Sequence, residues 1–312
     1  TTLLQSPAAD GLYAKGICMS GVWEQKPYAV EEGGRALAES LMKELSVKTV
    51  KELETVPYAC LAAAYEKVRP GFIRENRYVG NQPFKNAFYA GDPLLYGFRR
   101  ETAQVPILAG TVFGEFSSFV PGNEDRKTAD AKKQTAIVEA VFGKEHAAEL
   151  IPLFEKAYPE HPLCDLVRLD HFFRPGTQKY IRLRSALNGC TWSYLFNHDM
   201  PIDGGSTPWH CADIPYVFHN TQFVPSTQED GTDGLERLIF NSVMAFARTG
   251  MPGHSGLPAW PASTPEAEQT MIFDTNPVLR PNHDRELMPL FETYMKPIFE
   301  ANREQITEKA QH

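Results

Sequence analysis

The segment TPWHCADIPYVF, Thr207 to Phe218, sets a histidine after Pro-Trp and an aspartate three residues later. An apolar, aromatic run that reads as buried follows. His210 in that setting could fill core, bind a metal or act as a base, and the stretch alone does not choose. Earlier in the chain, Gly114-Glu115-Phe116 places a carboxylate among apolar neighbours just past an apolar run. An acid beside an imidazole makes a base and its orienter. The carboxylate holds the Nδ1–H tautomer and stabilises the imidazolium, while Nε2 takes a proton. A satisfied structural pair has the same composition, so residue type and order leave both readings open.

For Glu115 and His210 to meet, the elements before them must lie side by side. VPILAGTVF, Val105 to Phe113, is an unbroken apolar run whose length suits a strand covered on both faces. AKGICMSG, Ala14 to Gly21, predicts another buried strand. TWSYLFN, Thr191 to Asn197, alternates, with Trp192, Tyr194 and Phe196 on one face, and TMIFD, Thr270 to Asp274, reads as a last strand. Helical periodicity runs from Tyr28 to about Glu66, with Leu37, Leu41, Met42 and Leu45 on one face. It resumes from Lys127 to Tyr158, with breaks at Gly143 and Pro152. LERLIFNSVMAFARTG repeats its apolar residues at helical spacing until Gly250 and Pro252 stop it, and Asp284 to Gln305 predicts a terminal amphipathic helix. Strands alternating with long helices predict an α/β fold with a mainly parallel sheet. Active groups of such sheets lie just beyond the carboxyl ends of the strands. Glu115 follows one strand directly, and His210 follows the Gly- and Pro-rich loop after another.

The 312 residues are 42% hydrophobic and 22% charged, an ordinary globular profile with ample material for a core. A net charge of -8 argues against a nucleic-acid surface, which needs clustered cations. The one basic run, Glu124 to Lys133, interleaves acids and reads as a solvated helix face. No stretch approaches the roughly eighteen consecutive apolar residues of a membrane span. Five scattered cysteines without CxxC spacing read as reduced thiols of a cytoplasmic protein, with secretion as the alternative.

Other candidates have plain readings. His171 and His198 could join His210 and Asp213 around a metal, but no HxxxH or HxH spacing favours it. Neither a metal nor an organic cofactor is expected. Phe116, Phe119 and Trp209 could line a substrate pocket, with Phe172, Phe173 and Trp192 as further aromatics. Large aromatics are also what cores are made of. Asp92 reads as a loop or cap residue. Ser255, in Gly253-His254-Ser255-Gly256, mimics a nucleophile turn, yet no strand precedes it. Cys211 adjoins His210, and neighbouring side chains point apart.

Several blocks resemble the type-B carboxylesterases, the family that includes the cholinesterases. LLQSPAADGLYAKGICMSG is similar to the family's S-P-x-A-x-G-L-F run and the strand after it, which ends Q-S-G. VPILAGTVFGEFSSF resembles the strand and loop bearing the acidic triad member. HCADIPYVF resembles H-G-x-E-I-P-x-V-F around the triad histidine, and FARTGMPGHSGLPAWP and MIFD match the blocks that follow. The order is the family's from Thr1 to about Asp274. The resemblance implies one partial α/β-hydrolase domain over 1–312, its C-terminal portion, with a helical insertion at about 124–165. It implies Glu115 as triad acid, His210 as base and a small-molecule ester as substrate. It places Ser20 at a structural position. Three residues depart from the pattern: Phe116 and Cys211 stand where the family usually has glycine, and Asp213 where it usually has Glu.

The nucleophile elbow G-x-S-x-G does not occur in these residues, nor does the glycine-rich oxyanion loop. The resemblance therefore leads to the expectation that an upstream N-terminal half, on the same gene product or a companion chain, supplies the serine. Without it this chain is expected to be inactive. The alternative is a non-catalytic, cholinesterase-like binding protein or an inactive fragment.

Overall fold

The computed structural model describes residues 1–22, 27–75, 77, 82–116, 126–187, 189–202 and 204–309. They form two compact units, Thr1–Asp10 with Glu24–Arg99, and Gly11–Trp23 with Arg100–His312.

The first unit is helical. The pattern over Tyr28–Glu66 resolves into α1 (Pro27–Glu44), α2 (Val50–Leu53) and α3 (Tyr58–Arg74). Local chemistry makes the breaks. Ser46 takes a left-handed backbone at φ 56°, Thr49 caps α2 by accepting the Glu52 N–H at 3.2 Å, and Pro57 directly precedes α3. Leu37 and Leu41 of α1 pack on Ala64 and Phe72 of α3, as their spacing implies. Asp92 caps α4 (Pro93–Tyr96), accepting the Leu94 N–H at 2.9 Å.

The second unit is built on a five-stranded sheet in the order β1 (Gly16–Met19), β2 (Ile107–Val112), β3 (Thr191–Phe196), β4 (Gln269–Phe273) and β5 (Val278–Pro281). The first four are parallel, and β5 returns antiparallel to β4. Every residue of β2 and β3 is buried, which explains their continuous apolar character. Alternate residues serve opposite faces. Leu195 and Ile272 pack under α5 (Ala131–Ala157) and α9 (Leu287–Lys309). Trp192, Tyr194, Phe196, Met271 and Phe273 pack under α7 (Ile214–Val217) and α8 (Thr232–Thr249). The α/β architecture with a mainly parallel sheet is as the sequence implied.

Four local expectations change. β1 is not a fully buried strand: among the described residues it pairs only with β2, and Ile17 is 41% exposed. β5 was not foreseen, because VLRP is short and ends in proline, as an edge strand tolerates. α5 kinks at Gly143 (φ 76°) as expected, but Pro152 sits inside the helix without ending it. The basic run is not wholly a solvated face. Its Glu124 and Asp125 lie outside the described residues, and Arg126 is buried. The Arg126 guanidinium donates to both oxygens of Asp165, at 2.7 Å each, and to both of Asp199, at 2.7 and 2.8 Å. Partners so distant in sequence leave no local trace, yet the planar fork suits two carboxylates.

α8 ends where its residues said it would. Gly250 adopts φ 83° and its N–H reaches the Phe246 carbonyl at 2.8 Å. Among the described residues no helix is long and apolar enough to cross a membrane.

Candidate active site

β1, β2 and β3 run parallel and adjacent, so the residues just past their carboxyl ends share one edge of the sheet. Ser20 follows β1, Glu115 lies three residues past Val112 of β2, and the chain leaving β3 returns with His210. Backbone bonds lace these exits together. The Phe113 N–H donates to the Phe196 carbonyl at 2.9 Å, and Gly114 to that of Pro208 at 3.1 Å. The His210 N–H donates to the carbonyl of Glu115 itself at 2.5 Å.

The Glu115 carboxylate is buried and fully partnered. Its Oε2 meets His210 Nδ1 at 2.6 Å, while Oε1 accepts the Ser20 hydroxyl and the Val112 N–H, the latter at 3.0 Å. Burial pushes its pKa up to about 7 against the pull of those two donors, and the charge of Asp213 adds to the rise. The His210 side chain is 39% exposed, and its Nε2 has no hydrogen bond from the described residues. The carboxylate is thus held in the dry interior, and the imidazole stands at its boundary. Such a pair can fix one tautomer and offer Nε2 for proton transfer.

Further buried groups surround the pair. Asp213, at the start of α7, accepts the Tyr194 hydroxyl at 2.9 Å, and burial raises its pKa. Gly110 leaves room for this, because a Cβ there would collide with the Tyr194 ring. Asp170 accepts the amides of Phe172, Phe173 and Arg174 ahead of α6 (Arg174–Ser185). Burial, with the charge of Glu115 second, pushes it up to about 8. Phe173 stacks on the His210 ring at 5.5 Å and 18°, and the Phe116 ring lies 5.3 Å from it at 31°.

Of the residues singled out in the sequence, Glu115, His210 and Phe116 come together. Trp209 packs against the core under α7 and α8, and Phe119 lies outside the described residues. His171 packs on Phe172 and Phe299, where burial lowers its pKa to about 4. His198 lies between Glu229 and Asp274, with Nε2 2.7 Å from Glu229 Oε1. Ser255 is in an exposed turn. Ser20, Tyr194 and Asp170 belong to the surroundings of the pair without having been assigned there from sequence. The position of Ser20 at a strand's carboxyl end was the one available signal.

Cys211 adopts φ 73°, a conformation that costs a residue bearing Cβ and costs glycine little. Its thiol is exposed. Cys211→Gly is therefore expected to raise the stability of the folded chain by about 1 kcal/mol, seen as a higher urea midpoint. An unchanged or lower midpoint would show that contacts of the Cys211 side chain outweigh the backbone strain.

A family model described as the carboxylesterase family matches residues 1–288. Among known proteins the chain is similar to the phenmedipham hydrolase of Pseudarthrobacter oxydans, 23% identical over 273 residues, covering 83% of this chain and 53% of that one. Among solved structures it is similar to an esterase from the anaerobe Clostridium hathewayi that can hydrolyse aliphatic aromatic polyesters. Identity is 37% and the TM-score 0.83, over 94% of this chain and 59% of that one. A carboxylesterase of Geobacillus stearothermophilus, 21% identical with a TM-score of 0.62 over 93% of this chain and 60% of its own, shares the fold. The chain spans little more than half the length of these relatives.

Proposed function

Because the chain belongs to the carboxylesterase family, we propose that it carries the base and the orienting acid of a carboxylic-ester hydrolase of Ser-His-Glu type. The observation that carries this reading is the 2.6 Å contact between Glu115 and His210 Nδ1, joining a buried acid to an imidazole whose Nε2 is unengaged by the described residues. A binding surface gives no physical reason to desolvate a carboxylate behind a half-exposed histidine.

In the complete machine a serine attacks the ester carbonyl as its proton passes to His210 Nε2. That proton then leaves on the departing alcohol, and an acyl-enzyme remains. Water, giving its proton to Nε2, attacks the acyl carbonyl. The proton returns to the serine as the acid departs. Backbone N–H groups stabilise each oxyanion. On this reading the serine and those donors lie upstream, on the same gene product or a companion chain. Two observations support that placement. β1 leaves one side without a strand among the described residues, with Ile17 exposed, and this chain covers 59% of the Clostridium esterase, which leaves room in the whole protein for the missing parts. An open parallel edge with apolar faces asks for a neighbouring strand.

The test is a fluorophosphonate probe applied to the complete gene product, with hydrolysis of a short-chain aryl acetate assayed in parallel. The expected result is ester turnover, with one covalent adduct on a serine in a G-x-S-x-G sequence outside these 312 residues. Neither adduct nor turnover in a folded sample would leave the family's serine-free binding role as the better reading.

A further inference from the structure

Phe116 directly follows Glu115, so it sets an aromatic ring beside the buried carboxylate and its histidine. Its position is tightly constrained. The residue before it is held through its carbonyl by the His210 N–H and through its carboxylate by Ser20, Val112 and His210. The ring lies 5.3 Å from the imidazole, 5.4 Å from Phe172 and 5.9 Å from Phe173. Phe172 and Phe173 are 5.5 Å apart, and Phe173 is itself 5.5 Å from the imidazole. These separations close two triangles that share the Phe116–Phe173 edge, so the three phenyl rings form one wall on one side of the base. Phe173 is buried, Phe116 half-buried, and Phe172 is 39% exposed, so the wall keeps an open aromatic face.

We infer that this wall is an aryl-selecting subsite and that Phe116 is its specificity-determining residue; the inference rests on the ester-hydrolase reading above. The substrate class is esters with an aromatic ring next to the reacting ester group, on either its acyl or its alcohol side. The physical reason is proximity and ring chemistry. Proton transfer requires the ester's reacting oxygens within about 3 Å of His210 Nε2. A ring one or two bonds from the ester group can then reach the wall, which flanks the imidazole at 5.3–5.5 Å. Aromatic pairs gain from edge-to-face and offset stacking at centroid separations of about 4.5–7 Å, beyond what area burial gives. A saturated ring of the same carbon count buries similar area without that gain.

The experiment measures kcat/KM of the complete gene product on two matched pairs, methyl benzoate against methyl cyclohexanecarboxylate and benzyl acetate against cyclohexylmethyl acetate. At least one pair is expected to favour the aromatic member about fivefold or more, and that pair identifies the side of the ester the wall faces. Phe116→Leu, which keeps an apolar side chain, is expected to bring that ratio close to one, and Phe116→Tyr to preserve it. Both ratios near one in the wild-type protein overturn the inference while leaving ester hydrolysis intact. A ratio that survives Phe116→Leu in a folded variant removes Phe116 from the role. Absence of turnover on all four esters, and on the aryl acetate above, defeats the hydrolase reading itself. If the leucine variant fails to fold, Phe116→Met carries the same test of Phe116, and the wild-type ratios still test the subsite.

Discussion

His210→Ala is expected to lower ester turnover by the complete gene product on the order of 10⁴-fold or more, with the fold retained. Nε2 is the group proposed to take the serine proton and return it to the leaving alcohol, so its loss removes both proton transfers. No substitute is at hand: the Glu115 carboxylate is committed to Ser20 and Val112 within the interior. Stability should change little, because the imidazole stands half out of the protein and Glu115 can take up a proton when its partner is gone. Circular dichroism and a urea midpoint establish the fold, and kcat measures the loss of the base. Retention of more than a tenth of kcat in a folded variant would remove His210 from that role.

Glu115→Gln separates catalysis from stability. The amide can still accept from Ser20 and Val112 through its oxygen, but it turns N–H groups toward His210 Nδ1. The imidazole must then accept at Nδ1 and carry its proton on Nε2, the wrong tautomer for a base. A fall in kcat of about 10⁴-fold is expected. Stability should move the other way at alkaline pH. Burial raises the Glu115 pKa in the folded state to about 7, so the folded protein binds a proton that the unfolded chain has already lost. Its contribution is therefore present below the ordinary carboxyl value and is lost as pH rises through about 7. Glutamine carries no such penalty. At pH 8 the variant is expected to be more stable by about 1 kcal/mol or more, and the difference should shrink toward pH 4. Urea midpoints at the two pH values check it. A variant less stable at pH 8 than at pH 4, relative to wild type, would mean that the ionised carboxylate stabilises the fold.

These opposed effects locate the site's energetic cost. With burial raising its pKa, ionised Glu115 is expected to destabilise the folded chain, while four surrounding bonds hold it in place. Asp213 and Asp170 are buried nearby with raised pKa values, so three carboxyl groups share a dry neighbourhood with one imidazole. Such crowding of like charges is common where proton chemistry is done, although structural networks produce it too.

Elements with a strong period are legible from the residues alone. The apolar run of β2, the alternation of Trp192, Tyr194 and Phe196, and the Gly250 stop of α8 are local properties, set by burial and backbone freedom within a few residues. They fix the α/β class and put Glu115 and His210 each after a strand, while the pairing of those strands is a finding of the structure. Family resemblance implied catalytic roles for the two residues, which spacing alone left open between catalysis and structure. Whatever depends on distant partners comes from the folded arrangement. It brought Ser20 onto Glu115 across 95 residues, Tyr194 onto Asp213 through the space left by Gly110, and Arg126 between Asp165 and Asp199. It paired β1 with β2 alone among the described residues, assembled Phe116 with Phe172 and Phe173, and set Trp209 against the core. A hydrogen bond or a ring contact between such residues is a product of strand register and helix packing. No local pattern encodes it, because each partner alone reads as an ordinary polar or aromatic residue.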